Sequence, residues 1–115
     1  MLKKALFLGL LMAIVIGAVF GQAGDLETGV YECINDAVTF EVHIVNTTRS
    51  LFLVENGQPV FAYSYGINGN DMRMWERGNP DNWIQCQKIS NDSFSFYAGS
   101  RLLIFRRTRS LPSRL

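Results

Sequence analysis

The sequence predicts an all-β fold, a small antiparallel meander of eight strands that closes into a barrel. Hydrophobic residues make up 48% of the chain and charged residues 18%, which is the composition of a folded domain. Short runs of alternating apolar and polar residues recur along the chain, separated by turn residues. After residue 23, no segment has a helical repeat longer than two turns. A two-sheet sandwich is the alternative architecture.

The first 23 residues have the pattern of a secretory signal peptide. Two lysines precede an apolar run of sixteen residues, 5–20, and small residues follow at Gly21 and Ala23. An uncleaved membrane anchor is the alternative, although the run is shorter than the about 20 residues that span a bilayer. Cleavage would leave one barrel domain, 24–107, and a basic tail, 108–115, in a secreted or periplasmic protein.

The first four strands are predicted at 29–33, 37–45, 50–55 and 58–64. In the second of these, apolar residues at every other position alternate with polar ones, as a half-buried strand requires. Asn56-Gly57, between the third and fourth strands, is the strongest short hairpin signal in the chain.

The polar run 66–71 predicts a loop, after which the last four strands are predicted at 72–76, 83–88, 93–98 and 102–107. Short connections favour antiparallel pairing between consecutive strands. Closure of this meander into a barrel leaves no exposed edge, which suits a domain of about 90 residues.

The two cysteines, Cys33 and Cys86, are predicted to form a disulfide. Export would place them in an oxidising compartment, where two cysteines of a small domain usually pair. Two free buried thiols are the alternative. Neither cysteine has a CxxC spacing or a neighbouring histidine, so the sequence gives no support for a redox or metal role.

Charge is distributed unevenly along the chain. Residues 24–99 contain ten acidic and four basic residues, a net of −6, whereas residues 100–115 contain five arginines and no acid. Such a segment can contact nucleic acid or an anionic surface, but it has no aromatic platform beyond Phe105. We therefore expect no nucleic-acid partner and a tail that is solvated or lies on the acidic body. Glycosylation sequons at Asn46 and Asn91 fall in predicted turns.

Few residues could carry catalysis. His43 is the only histidine, and its place on the polar face of a strand predicts a surface or interface residue. Asp71, Glu76 and Asp81 lie near two predicted loops, but they lack the spacing of a calcium loop and are expected to be solvated. The sequence therefore predicts a binding protein, not an enzyme, with no catalytic residue, no metal and no cofactor.

The most unusual local composition is the pair of segments Tyr63-Ser64-Tyr65-Gly66 and Trp75-Glu76-Arg77-Gly78. One hairpin would bring a hydroxyl and a guanidinium together, with aromatic rings between them. A small donor beside a bidentate donor suits the capture of carboxylates. The candidate partner-binding residues are Ser64, Tyr65, Trp75 and Arg77. The alternative is that Trp75 is a core residue and Arg77 part of a turn.

These segments resemble the MliC-type periplasmic inhibitors of C-type lysozyme over about residues 29–80. Tyr31-Glu32-Cys33 matches the family's opening aromatic-x-Cys pattern, and Ser64-Tyr65-Gly66 and 74–78 are partial counterparts of its S-G-x-x-Y and F-W-x-K-G motifs. Asn68 replaces the family's Tyr, and Arg77 replaces its Lys.

The resemblance implies an eight-stranded barrel whose protein partner is a C-type lysozyme. It further implies that Ser64 and Arg77 enter the lysozyme cleft and hydrogen-bond its catalytic carboxylates. The alternative function is that of an exported lipocalin-like or avidin-like barrel, which would hold one small ligand in its interior.

Overall fold

The computed structural model describes residues 24–112, so the predicted signal peptide lies outside the described residues. These residues contain eight strands: β1 Gly29–Cys33, β2 Glu41–Val45, β3 Ser50–Glu55, β4 Gln58–Asn68, β5 Asp71–Glu76, β6 Trp83–Ser90, β7 Ser93–Ala98 and β8 Arg101–Arg109. Each strand pairs antiparallel with the next, and β8 pairs with β1 to close the barrel. The predicted all-β barrel is confirmed, and the sandwich alternative is wrong. Within the described residues no helix is long and apolar enough to cross a bilayer.

The turn between β3 and β4 has the predicted hairpin conformation. Asn56 and Gly57 have φ values of 53° and 75°, in the left-handed region. A two-residue turn with positive φ at both positions matches the twist of the flanking strands. The Asn-Gly signal therefore fixed the position of this hairpin.

The predicted loop at 66–71 is wrong, because strand β4 continues through it to Asn68 and β5 begins at Asp71. Gly66 pairs with Arg73 inside the ladder, and the chain reverses at Gly69, whose φ is 67°. A glycine tolerates that conformation without strain. The polar composition of this run reflects an exposed hairpin end.

The interior of the barrel is filled by large side chains. The rings of Phe94 and Phe96 each lie 5.5 Å from that of Phe105, centroid to centroid. The cluster also includes Tyr31, Val42, Ile44, Leu51, Tyr65, Met72, Met74 and Leu103, all at most 2% exposed. Interior positions of small barrels are commonly packed in this way, as a core and not a cavity.

The N-terminal segment before β1 packs into this core. Leu26 is fully buried, and its carbonyl accepts a hydrogen bond of 3.0 Å from Asn46 Nδ2. The Tyr31 hydroxyl donates to the Glu27 carbonyl at 2.7 Å, and the Glu27 amide donates to the Asn91 carbonyl at 2.7 Å. The segment is thus tied to the barrel through both backbone and side-chain groups.

The C-terminal end of β8 is held against the acidic body by ion pairs. Arg109 lies 2.6 Å from a Glu32 oxygen and 3.0 Å from both Glu41 oxygens. Glu41 also contacts His43 Nε2 at 2.8 Å. The prediction that His43 is a surface residue is wrong, since it is only 3% exposed. It pairs with Val30 of β1, and Val30 in turn pairs with Arg109.

The predicted disulfide is absent, and both cysteines are free thiols. Cys33 lies on β1 and Cys86 on β6, which are separated in the barrel by β7 and β8. Three strand spacings of about 4.8 Å each therefore lie between them along the barrel wall, whereas a disulfide needs Cα atoms within about 7 Å. Burial raises the pKa of the Cys86 thiol to about 12. The alternative of two free buried thiols is right for Cys86, whereas the free thiol of Cys33 is only half-buried.

Candidate functional site

The pairing of β3, β4 and β5 places several of the candidate residues in one row on the outer wall. Ser50 pairs with Ser64, and Ser64 pairs with Trp75. The neighbouring positions Tyr65 and Met74 are a pair that is buried in the core. Because side chains alternate between the two faces of a strand, Ser64 and Trp75 belong to the outer face.

Arg77 immediately follows β5, and its side chain reaches back towards β3. Its Nη2 atom donates a hydrogen bond of 2.5 Å to Ser50 Oγ. Its guanidinium carbon lies 5.3 Å from the centroid of the Phe52 ring. Strand β4, which carries Ser64, lies between β3 and β5 in the sheet. One hydrogen bond and one cation–π contact therefore orient the guanidinium on the outer surface.

Ser64 and Arg77 line one open groove, whose volume is about 710 Å³. Ser50, Phe52, Val45, Thr48 and Pro59 also line this groove. Leu111 and Pro112, beyond the end of β8, complete the lining. The structure thus brings together the two residues to which the resemblance assigns the contacts with the lysozyme carboxylates.

Tyr65 does not belong to this groove, and its prediction as a partner-binding residue is wrong. Its side chain is 2% exposed and points into the core, where its hydroxyl donates to Asp25 Oδ1 at 2.9 Å. Burial raises the pKa of Tyr65, and the hydrogen bond to the Asp25 carboxylate adds to this shift. Alternation along β4 explains the difference, because adjacent Ser64 and Tyr65 must face opposite sides of the sheet.

Trp75 lies on the outer face but lines a different depression. Its indole lies over Gly66, where an added Cβ would be 3.5 Å from the Cη2 atom of the ring. The depression beside it has a volume of about 280 Å³ and is lined by Gly66, Ile67, Asn68, Asp71, Arg73 and Trp75. Trp75 is therefore not a core residue. It pairs with Ser64 along the strands but does not line the groove of Ser64 and Arg77.

Ser50 and Phe52 are the groove residues that the sequence analysis missed. Both lie on β3, and the Arg77 side chain reaches them across β4, which lies between β3 and β5. The Asn56-Gly57 turn signals this hairpin in the sequence, but counting back from it pairs Ser50 with Tyr63. The irregularity between Leu53 and Val54 shifts the observed partner by one residue, to Ser64.

The acidic residues near the loops do not form a metal site. Asp71, Glu76 and Asp81 are all exposed, and Asp71 accepts a hydrogen bond of 2.5 Å from Gln85. Within residues 24–112, no group of three or more His, Cys, Asp or Glu side chains could hold a metal ion.

Comparison of the chain with models of protein families, with curated proteins and with solved structures finds no match.

Proposed function

We propose that this protein is a binding module that recognises a carboxylate-bearing protein partner through the groove of Ser64 and Arg77, and that the partner is a C-type lysozyme. The observation that carries the proposal is the position of Arg77. Ser50 and Phe52 orient its guanidinium beside Ser64, on an exposed groove of a rigid barrel. A cation held in place before binding loses less conformational freedom when it pairs with a carboxylate.

The charges around Arg77 favour this type of partner. Arg77 has no ion-pair partner among residues 24–112, so its remaining N–H donors are free for a ligand. A carboxylate can accept two parallel hydrogen bonds from one guanidinium, and Ser64 offers a third donor in the same groove. Two catalytic carboxylates in an enzyme cleft present this pattern of acceptors.

The packed interior argues against the alternative of a small-ligand barrel. A lipocalin-like or avidin-like protein needs space inside the barrel for its ligand. Here the rings of Phe94, Phe96 and Phe105 stack at the centre, and Phe94 and Phe105 are fully buried. We therefore favour recognition on the outer wall.

The test is inhibition of a C-type lysozyme by the wild-type protein and by Arg77→Ala and Ser64→Ala. Removal of Arg77 leaves a buried carboxylate of the enzyme unpaired and should weaken binding by about 2–5 kcal/mol. Removal of the Ser64 hydroxyl should cost about 1–3 kcal/mol. Arg106→Ala is the matched control, because Arg106 is an exposed arginine on β8, opposite β4 in the barrel.

Failure of the wild-type protein to inhibit at micromolar concentration would refute the proposed partner. Inhibition that persists in Arg77→Ala would refute the assignment of the groove. An equal loss in Arg106→Ala would mean that overall charge, and not the position of Arg77, controls binding.

A further inference from the structure

The two tryptophans occupy paired backbone positions on the outer wall. Trp75 on β5 pairs directly with Trp83 on β6, and the sequence contains no other tryptophan. Trp83 is 43% exposed, which is unusual for so large an aromatic side chain. Clustered aromatic residues on a surface mark interaction sites. This surface shares no lining residue with the groove of Ser64 and Arg77.

Arg73 lies on the same face and is fixed by one of these rings. Its guanidinium carbon is 3.9 Å from the centroid of the Trp83 ring. Among residues 24–112, no carboxylate lies within ion-pair distance of Arg73. The guanidinium that lies over this ring therefore keeps N–H donors for a ligand.

Beside Arg73 is the depression of about 280 Å³ that Trp75 lines. Gly66 has no side chain, so the Trp75 ring lies close over the backbone of β4. Asn68 and Asp71, at the ends of β4 and β5, supply an amide and a carboxylate at the other side of the depression. The site thus combines an aromatic surface, hydrogen-bonding groups for hydroxyls, and an unpaired cation.

We propose that this surface, Trp75, Trp83, Arg73, Asn68 and Asp71, is a binding site for a saccharide that contains carboxylated pyranose rings. The polarised C–H groups of a pyranose face pack against the negative face of an indole ring. The sugar carboxylate pairs with Arg73, and the sugar hydroxyls donate to Asp71 and hydrogen-bond to Asn68. Binding is non-covalent and needs no metal.

Two features favour an acidic saccharide over other anionic or apolar partners. Asp71 lies inside the depression, so its negative charge would repel the closely spaced phosphates of a nucleic acid. A purely apolar partner would leave Asp71 and Arg73 desolvated without partners, which is costly. A sugar ring satisfies both groups with its hydroxyls and its single carboxylate.

The experiment is a titration of the protein with tetragalacturonate, followed by tryptophan fluorescence. Both tryptophans lie at the proposed site, so their emission reports its occupation directly. The matched probe is the methyl ester of the same tetrasaccharide, which keeps the rings and removes the charges. We expect saturable binding of tetragalacturonate and at least tenfold weaker binding of the ester.

Three variants separate the contributions. Arg73→Gln should lower the affinity for tetragalacturonate to that for the ester, and Trp75→Ala should abolish binding of both. Trp75→Phe keeps a smaller ring and should bind with intermediate affinity, which guards against a folding defect in the alanine variant. Arg106→Gln, on β8 and outside the proposed site, should bind as the wild type does, with isothermal titration calorimetry as an independent readout.

The proposal is overturned if tetragalacturonate causes no saturable change at millimolar concentration. It is equally overturned if the ester binds as well as the acid, if Trp75→Phe binds as the wild type does, or if Arg106→Gln loses as much affinity as Arg73→Gln. None of these outcomes depends on whether the protein inhibits a lysozyme, because that assay tests Ser64 and Arg77.

Discussion

Replacement of Tyr65 by phenylalanine tests whether this residue stabilises the fold and does not contact a partner. The substitution removes one hydroxyl and keeps the ring in the core. In the structure this hydroxyl donates to Asp25 Oδ1 at 2.9 Å, which links β4 to the N-terminal segment. The same carboxylate accepts from the Leu26 amide at 2.8 Å and from Arg49 Nε at 3.1 Å.

The expected loss of stability follows from these contacts. A hydrogen bond to a charged group contributes about 1.5–3 kcal/mol. The Asp25 side chain is 27% exposed and keeps its two other donors, so water can replace part of the lost interaction. We therefore expect the lower end, about 1.5 kcal/mol, which in a domain of this size corresponds to a fall in Tm of about 6–12 °C.

Thermal and urea denaturation followed by circular dichroism measure this loss. Tyr63→Phe is the matched control, because Tyr63 lies on the same strand, packs against the same core and has no hydrogen bond from its hydroxyl among the described residues. It should change stability by no more than about 0.5 kcal/mol. Equal effects of the two substitutions, or a loss of lysozyme binding without a loss of stability in Tyr65→Phe, would refute the internal role of Tyr65.

Three further predictions concern the thiols, the acidic network and the N-terminal segment. Burial raises the pKa of Cys86 to about 12, so iodoacetamide should modify Cys86 in the folded protein far more slowly than in urea, and intact mass should show two alkylated thiols after unfolding without reductant. Burial opposes ionisation of Glu41, but hydrogen bonds from His43 and Arg109 outweigh it and lower its pKa. This stabilisation is present above the ordinary value of 4.5 and is lost as pH falls below it, so Glu41→Gln should flatten the acid side of a stability profile from urea denaturation. Leu26→Ala should lower the free energy of unfolding by about 2–5 kcal/mol in the same assay, and no loss would mean that the N-terminal segment is not part of the core.

The strands were predictable because their signals are local. The alternating residues of β2 and the Asn56-Gly57 turn depend on side-chain direction and on positive φ, which a few neighbouring residues determine. The loop predicted at 66–71 failed because a strand can contain a glycine where a side chain from the next strand lies over it. Gly66 has this role beneath Trp75, a contact between residues on different strands.

The environments of His43 and of the cysteines could not be read from local patterns. His43 occupies an outward position, as alternation predicts, but the end of β8 and the carboxylate of Glu41 surround it. Pairing of Cys33 with Cys86 was inferred from compartment and chain length, neither of which specifies the order of strands around the barrel. The burial of His43 on the outer wall and the distance between β1 and β6, which carry the two cysteines, are both consequences of barrel closure.

Arg73 on β5 and Arg77, which follows this strand, illustrate how closure directs recognition to the outer wall. Arg73, Trp75 and Arg77 occupy alternate positions, so all three side chains start from the same face. Arg77 reaches across to β3, whereas Arg73 stacks on Trp83 of β6. The Trp75 indole lies over Gly66 of β4. In the sequence Trp75 and Arg77 belong to one motif, but in the barrel Arg77 lines one groove, whereas Trp75 and Arg73 line another depression.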